Sequence, residues 1–191
     1  MLTLTNRSTQ KKVTDSEREL YLRNDQDIYQ LITFVLKGNA DIKPVMTGKS
    51  GFFSQTDNAK SIFDEVMAVQ KFFKKTDGIR MREKYINFSR DELTEGAEVE
   101  QLERIASLMS QFYLFKGFQN VWSVVSRGEE FTIYLVINTV SCFDGSKYHY
   151  NKADVDDDEF AYLLNIYNLV VNNDFSVNID YTPLEFYPYS F

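Results

Sequence analysis

A single cysteine, Cys142, excludes any disulfide within the chain, so no covalent framework holds the fold. One histidine, His149, is equally limiting: a tetrahedral zinc site built from Cys and His needs four such ligands, and the chain has two. Long apolar runs are missing too. "LITFVL" at 31–36 is among the longest, far short of the roughly 20 residues a membrane span requires. The opening "MLTLTNRSTQKKV" has neither the charged-then-apolar order nor the cleavage site of a secretory signal. The expectation is a cytoplasmic protein with no membrane contact.

What is present is the composition of an ordinary globular domain, with 43% hydrophobic and 26% charged residues. A chain of 191 residues buries roughly 70% of its unfolded surface, so it needs no metal or disulfide staple. Aromatics are abundant, with 16 Phe and 12 Tyr, which points to a thick aromatic core or to aromatic surface kept for a partner.

The net charge of −7 is unevenly spread. Residues 151–191 carry Asp154, Asp156, Asp157, Asp158, Glu159, Asp174, Asp180 and Glu185 against Lys152 alone, and residues 1–150 are neutral. Such asymmetry suggests an interaction surface.

Residues 1–13 lack a clear period and read as a flexible arm or an edge strand; residues 14–191 read as one domain. Within it, 14–39 is predicted helical from the spacing of Ile28, Leu31, Ile32, Val35 and Leu36, with capping-box candidates at Thr14/Glu17 and Ser16/Glu19. Residues 39–56, with Pro44, Gly48 and Gly51, read as a loop. A second helix spans 57–77, a strand 79–88, and a third helix follows the Ser89/Glu92 capping box to Gly117.

"FQNVWSVVS", "RGEE" and "FTIYLVINTV" make a hairpin whose second strand is apolar on both faces, and so central in the sheet. A loop at 141–156, a helix at 157–172 and an alternating strand at 175–182 complete the order α-α-β-α-β-β-α-β. The expected fold is α+β: an antiparallel sheet of about four strands with helices mainly on one side.

Four stretches invite a chemical reading. In "NKADVDDDEFAYLLNIYNLV", Asp154, Asp156 and Asp158 match positions 1, 3 and 5 of an EF-hand loop, but Glu159 replaces the turn glycine and Asn165 the chelating Glu. The cluster reads instead as a capped, solvated helix start that could also meet a basic partner. "MTGKSGFF" holds the Gly-Lys-Ser of a phosphate loop, yet Lys43 stands where the first glycine belongs, so chance explains the match. Cys142 and His149 flank Gly145 beside Asp144, a weak nucleophile–base arrangement without a local signature. Residues 71–84 carry Lys71, Lys74, Lys75, Arg80, Arg82 and Lys84 against Asp77 and Glu83; on a strand, Arg80, Arg82 and Lys84 would share one face able to track phosphates.

The tail "YTPLEFYPYSF" adds Phe186, Tyr187 and Tyr189 between prolines that bar a central strand. No catalytic residue, metal ligand set or cofactor emerges. The reading favoured by charge and composition is a binding protein, of inhibitor or immunity type, that meets a partner with a basic surface. The contact would be Asp154, Asp156, Asp157, Asp158, Glu159, Phe186, Tyr187 and Tyr189. The alternatives are a small-ligand domain or enzyme with a Tyr/Asp-lined pocket, and a nucleic-acid accessory protein using 71–84. The overall acidity disfavours nucleic acid.

Overall fold

The computed structural model describes residues 3–5, 24–148 and 154–172, with 3–5 and 154–160 described by their backbone alone. The elements are β1 (Thr3–Thr5), α1 (Asp25–Lys37), β2 (Pro44–Ser50), α2 (Ala59–Phe72), β3 (Met81–Ser89), α3 (Glu98–Phe115), β4 (Asn120–Arg127), β5 (Glu130–Asn138) and α4 (Asp154–Val171). Every strand pairs antiparallel with its neighbours, in the order β1-β3-β5-β4-β2. The chain is therefore α+β, as its hairpin pattern implies.

β5 is the central strand, and side-chain alternation makes it a two-sided core. Phe131, Ile133, Leu135 and Ile137 join one apolar cluster, while Tyr134 and Val136 join another on the opposite face. The β4–β5 hairpin closes through Gly128 and Glu129, with Arg127 opposite Glu130. Gly128 supplies the positive φ of 63° that so short a connection favours.

The helices divide two to each face, correcting the expectation that they lie mainly on one side. Ile28, Ile32 and Val35 of α1 and Ile62, Val66 and Met67 of α2 cover Met81, Tyr85, Val121 and Val125. Leu102, Ile105, Met109 and Tyr113 of α3 and Leu163, Ile166 and Val170 of α4 cover Ile86, Phe88, Trp122 and Val124. A strand apolar on both faces requires this: one uncovered face would leave several residues wet, at about 1.5–3 kcal/mol each.

Other boundaries also move. α1 is capped at Asn24, whose side chain accepts from the Asp27 N–H at 2.9 Å; the capping pairs proposed at Thr14–Glu19 lie outside the described residues, as do His149 and the strand at 175–182. The Ser89/Glu92 box is formed, with Ser89 N–H donating to Glu92 at 2.9 Å, but it caps only the short turn Arg90–Glu92. The long helix α3 starts later, at Glu98, after Gly96. β2 occupies the middle of the stretch read as a loop. It is an outer strand begun by Pro44, a position where the missing N–H costs no ladder bond. Within it, Gly48 runs under the Trp122 indole: a Cβ there would lie 2.3 Å from the ring.

Candidate functional site

One end of the sheet gathers a buried polar network and three exposed phenylalanines, apart from Phe53, which at 94% is more exposed still in the segment after β2. β3 begins there (Met81 opposite Asn138), β4 begins (Asn120 opposite Ile137), and β5 and β2 finish, Ser50 lying opposite Asn120. Side-chain amides bridge these ends. Gln70 Nε2 donates to Asn138 Oδ1 at 3.0 Å, Asn138 Nδ2 donates to Gln119 Oε1 at 3.1 Å, and Gln119 Nε2 donates to the Gly51 carbonyl at 2.9 Å. Ser110 Oγ lies 2.6 Å from both Asn120 Oδ1 and Ser50 Oγ, tying α3 to the same end. Such a buried network is stable because each member is satisfied.

Arg80 is part of this network. Its side chain is only 5% exposed, and its Nε donates to Gln70 Oε1 at 2.7 Å while Nη1 pairs with Asp25 at 2.6 Å. It precedes β3 and reaches toward α1 and α2. Lys84, 3% exposed, reaches the other face, its Nζ 5.8 Å from the ring centroids of Tyr113 and Tyr148. Arg82, half-buried, lies on the same side with its guanidinium 5.9 Å from the Tyr148 ring. The three cations therefore form no common solvent face. Arg80 departs from the alternation because it lies just before the strand. Lys71, Lys74 and Lys75 differ: they are exposed at the C-terminus of α2 and make no ion pair among the described residues.

Three exposed phenylalanines cap the same end. Phe72 closes α2 at 78% exposure, Phe143 follows β5 at 62%, and Phe115 closes α3 at 53%. The segments around them are in mutual contact. Phe72 meets Phe73 edge-on at 4.9 Å, Phe73 lies against Gly145 where a Cβ would come within 2.3 Å of its ring, and Phe143 lies over Gly117. The Cys142 N–H donates to the Gly117 carbonyl at 2.8 Å, binding the 139–148 segment to the end of α3.

The acidic cluster reaches this end through α4. Tyr162 packs on Phe112 at 4.7 Å and Gln101 Nε2 meets the Val170 carbonyl at 3.4 Å, so α4 runs antiparallel to α3 and begins where α3 finishes. The helix starts at Asp154, three residues earlier than the spacing suggests, so Asp154, Asp156, Asp157, Asp158 and Glu159 all fall in its first two turns. Phe186, Tyr187 and Tyr189 lie outside the described residues.

The remaining motifs resolve into structure. The Gly-Lys-Ser of 48–50 is the end of β2: Lys49 Nζ bonds the Thr56 carbonyl and pairs with Asp57 at 3.1 Å, and Ser50 meets Ser110. Burial pushes the Cys142 thiol up from its ordinary value, the opposite of an activated thiolate. Among the described residues no group of three His, Cys, Asp or Glu side chains is placed to hold a metal ion. No helix among them is long and apolar enough to cross a membrane.

Two surface hollows among the described residues are open and shallow. One lies between α3 and α4 and is lined by Glu100, Glu103, Arg104, Ser107, Leu108 and Leu169; the other surrounds Arg90, with Asp91, Glu95, Glu98 and Glu129. Neither brings tyrosine and aspartate together.

Sequence reasoning missed the exposed phenylalanines as a group, because Phe72, Phe115 and Phe143 are 28 or more positions apart and only the antiparallel topology gathers them. A signal existed in part: each has a lysine or a glycine within two positions, Lys71 and Lys74 for Phe72, Lys116 and Gly117 for Phe115, and Gly145 for Phe143. No protein-family model, curated protein or solved structure matches this chain.

Proposed function

We propose that this chain works by binding another macromolecule through the sheet end where α2 and α3 finish and α4 begins. The observation that carries the reading is the exposure of Phe72, Phe115 and Phe143 in that one region. Isolated exposed apolar side chains are ordinary, but large aromatics gathered in one region are the usual anchors of an interface. α4 begins at this end with Asp154, Asp156, Asp157, Asp158 and Glu159, whose charge would steer a partner with a basic surface. Phe186, Tyr187 and Tyr189 extend the same chemistry by sequence. A protein of inhibitor or immunity type, covering a basic site, fits these properties.

The nucleic-acid alternative is weakened by the burial of Arg80 and Lys84, which leaves the exposed cations of 71–84 confined to the end of α2. The test is affinity capture from native extract with two baits, the wild-type chain and one carrying Asp156→Asn, Asp157→Asn, Asp158→Asn and Glu159→Gln. A basic protein retained by the first, released by salt and lost from the second supports the reading; equal retention by both removes it.

A further inference from the structure

At the aromatic end two helix termini of opposite charge lie on opposite faces of the sheet, with Asp25 and Asp77 also on the side of the basic one. α2 packs on one face, joined through Gln70 to the Arg80 that leads into β3. α4 packs on the other, with Tyr167 stacked 6.3 Å from Phe88 of the same strand. Both helices thus lie over the β3 half of the sheet. At this end α2 finishes in exposed Lys71, Lys74 and Lys75, unpaired among the described residues, while α4 starts with Asp154, Asp156, Asp157, Asp158 and Glu159.

We infer that the partner for this surface is a second copy of the same chain, placed end to end by a two-fold axis. This rests on the reading above that this sheet end is an interface, and sets a second copy, through its three lysines, in place of a separate basic protein. A two-fold in the sheet plane and perpendicular to the strands reverses strand direction and exchanges the faces. The α2 terminus of each copy then meets the α4 terminus of the other. Basic meets acidic twice, as an isologous contact demands. The C-terminal pole of one helix also faces the N-terminal pole of the other, a favourable arrangement of helix dipoles. Phe72 of each copy adjoins a charged contact, and Phe115 and Phe143 lie at the same joined ends. The aromatics supply the affinity and the charges fix the register, since exposed ion pairs contribute little individually.

The experiment is sedimentation equilibrium of the full chain at low and high salt, with circular dichroism confirming the fold of each variant. The variants are Lys71→Glu/Lys74→Glu/Lys75→Glu, Asp156→Lys/Asp157→Lys/Asp158→Lys, and Phe72→Ser. The wild type is expected at twice the chain mass in low salt, with each variant weakening association by about tenfold or more. Mixing the two charge-reversed chains restores the doubled mass, because each then meets its complement at both contacts. A wild type that stays monomeric, charge-reversed chains that pair as the wild type does, or a mixture that remains monomeric would each overturn the inference. A monomeric wild type that still captures a basic protein, lost on neutralising Asp156 to Glu159, removes the second copy and leaves the binding reading intact. Phe72→Ser keeps the test decisive if a charge-reversed chain fails to fold, since a side chain so exposed is dispensable to the core.

Discussion

Gly48 of β2 and Trp122 of β4 face one another across a gap that admits no side chain: a Cβ on Gly48 would lie 2.3 Å from Cζ2 and 2.4 Å from Cε2 of the indole. Trp122 is buried in the cluster beneath α3 and α4 and has no room to withdraw. Gly48→Ala is expected to destabilise the fold by about 1–3 kcal/mol, the usual cost of forcing atoms into a filled space. Urea unfolding followed by Trp122 fluorescence measures it. A neutral result would mean that the indole moves freely.

Gln70 is an amide rather than a carboxylate for a reason that its partners reveal. Its Oε1 accepts from Arg80, which a carboxylate would do as well or better. Its Nε2 donates to the Arg80 carbonyl and to Asn138 Oδ1, which a carboxylate cannot. Gln70→Glu therefore gains a charge pair but loses two donated bonds and sets a carboxylate against the Arg80 carbonyl and Asn138 Oδ1, which keep only their bonds from the Thr139 and Val140 N–H groups, at about 0.5–1.5 kcal/mol for each bond lost. The denaturant midpoint is expected to fall. A rise would show that the Arg80 charge outweighs the amide donors.

Asp144 predicts a pH dependence. The backbone N–H of Ser146, 2.9 Å away, is the largest influence holding its carboxyl below the ordinary value of 3.8; hydroxyl bonds add to it and slight burial opposes it. A depressed folded pKa stabilises the fold above the unfolded value, and that contribution is lost as pH falls through the folded one. The difference in unfolding free energy between wild type and Asp144→Asn should be constant at neutral pH and shrink below about pH 4. A difference that grows on acidification contradicts the assignment.

Cys142 should be a sluggish nucleophile. Burial raises its thiol above the ordinary 9.0, so little thiolate exists at neutral pH. Alkylation by iodoacetamide is expected to run slower than that of free cysteine at pH 7.4 and to accelerate only in more alkaline solution. Fast labelling at neutral pH would reopen the case for a reactive thiol in the 139–148 segment.

The parts legible from sequence were those where a local signal and the tertiary outcome agree. The run from Phe131 to Val140 is apolar on both faces because both faces are covered, and the Gly128 turn fixes its pairing with β4. β2 was hidden because its two distinguishing residues usually mean the reverse: Pro44 opens a strand at the sheet's rim, and Gly48 is a close approach rather than a break. Ser89 and Glu92 formed their reciprocal bonds, but Gly96 delayed the helix that such a box normally starts. The basic segment looked continuous because linear charge says nothing of depth; Arg80 and Lys84 went inward to different faces while the three lysines stayed outside.

The amide lattice at the end of the sheet has one further implication. Gln70, Asn138, Gln119 and Asn120 do not titrate, so their bonds are indifferent to acid. The opposite corner depends on carboxylates, with Arg90 held by Glu98 at 2.7 Å and Glu129 at 3.5 Å next to the β4–β5 turn. Acidification should loosen the hairpin tip through its carboxylates, while at the far seam it reaches only the Arg80–Asp25 pair and the Asp144 turn and leaves the amide bonds themselves intact.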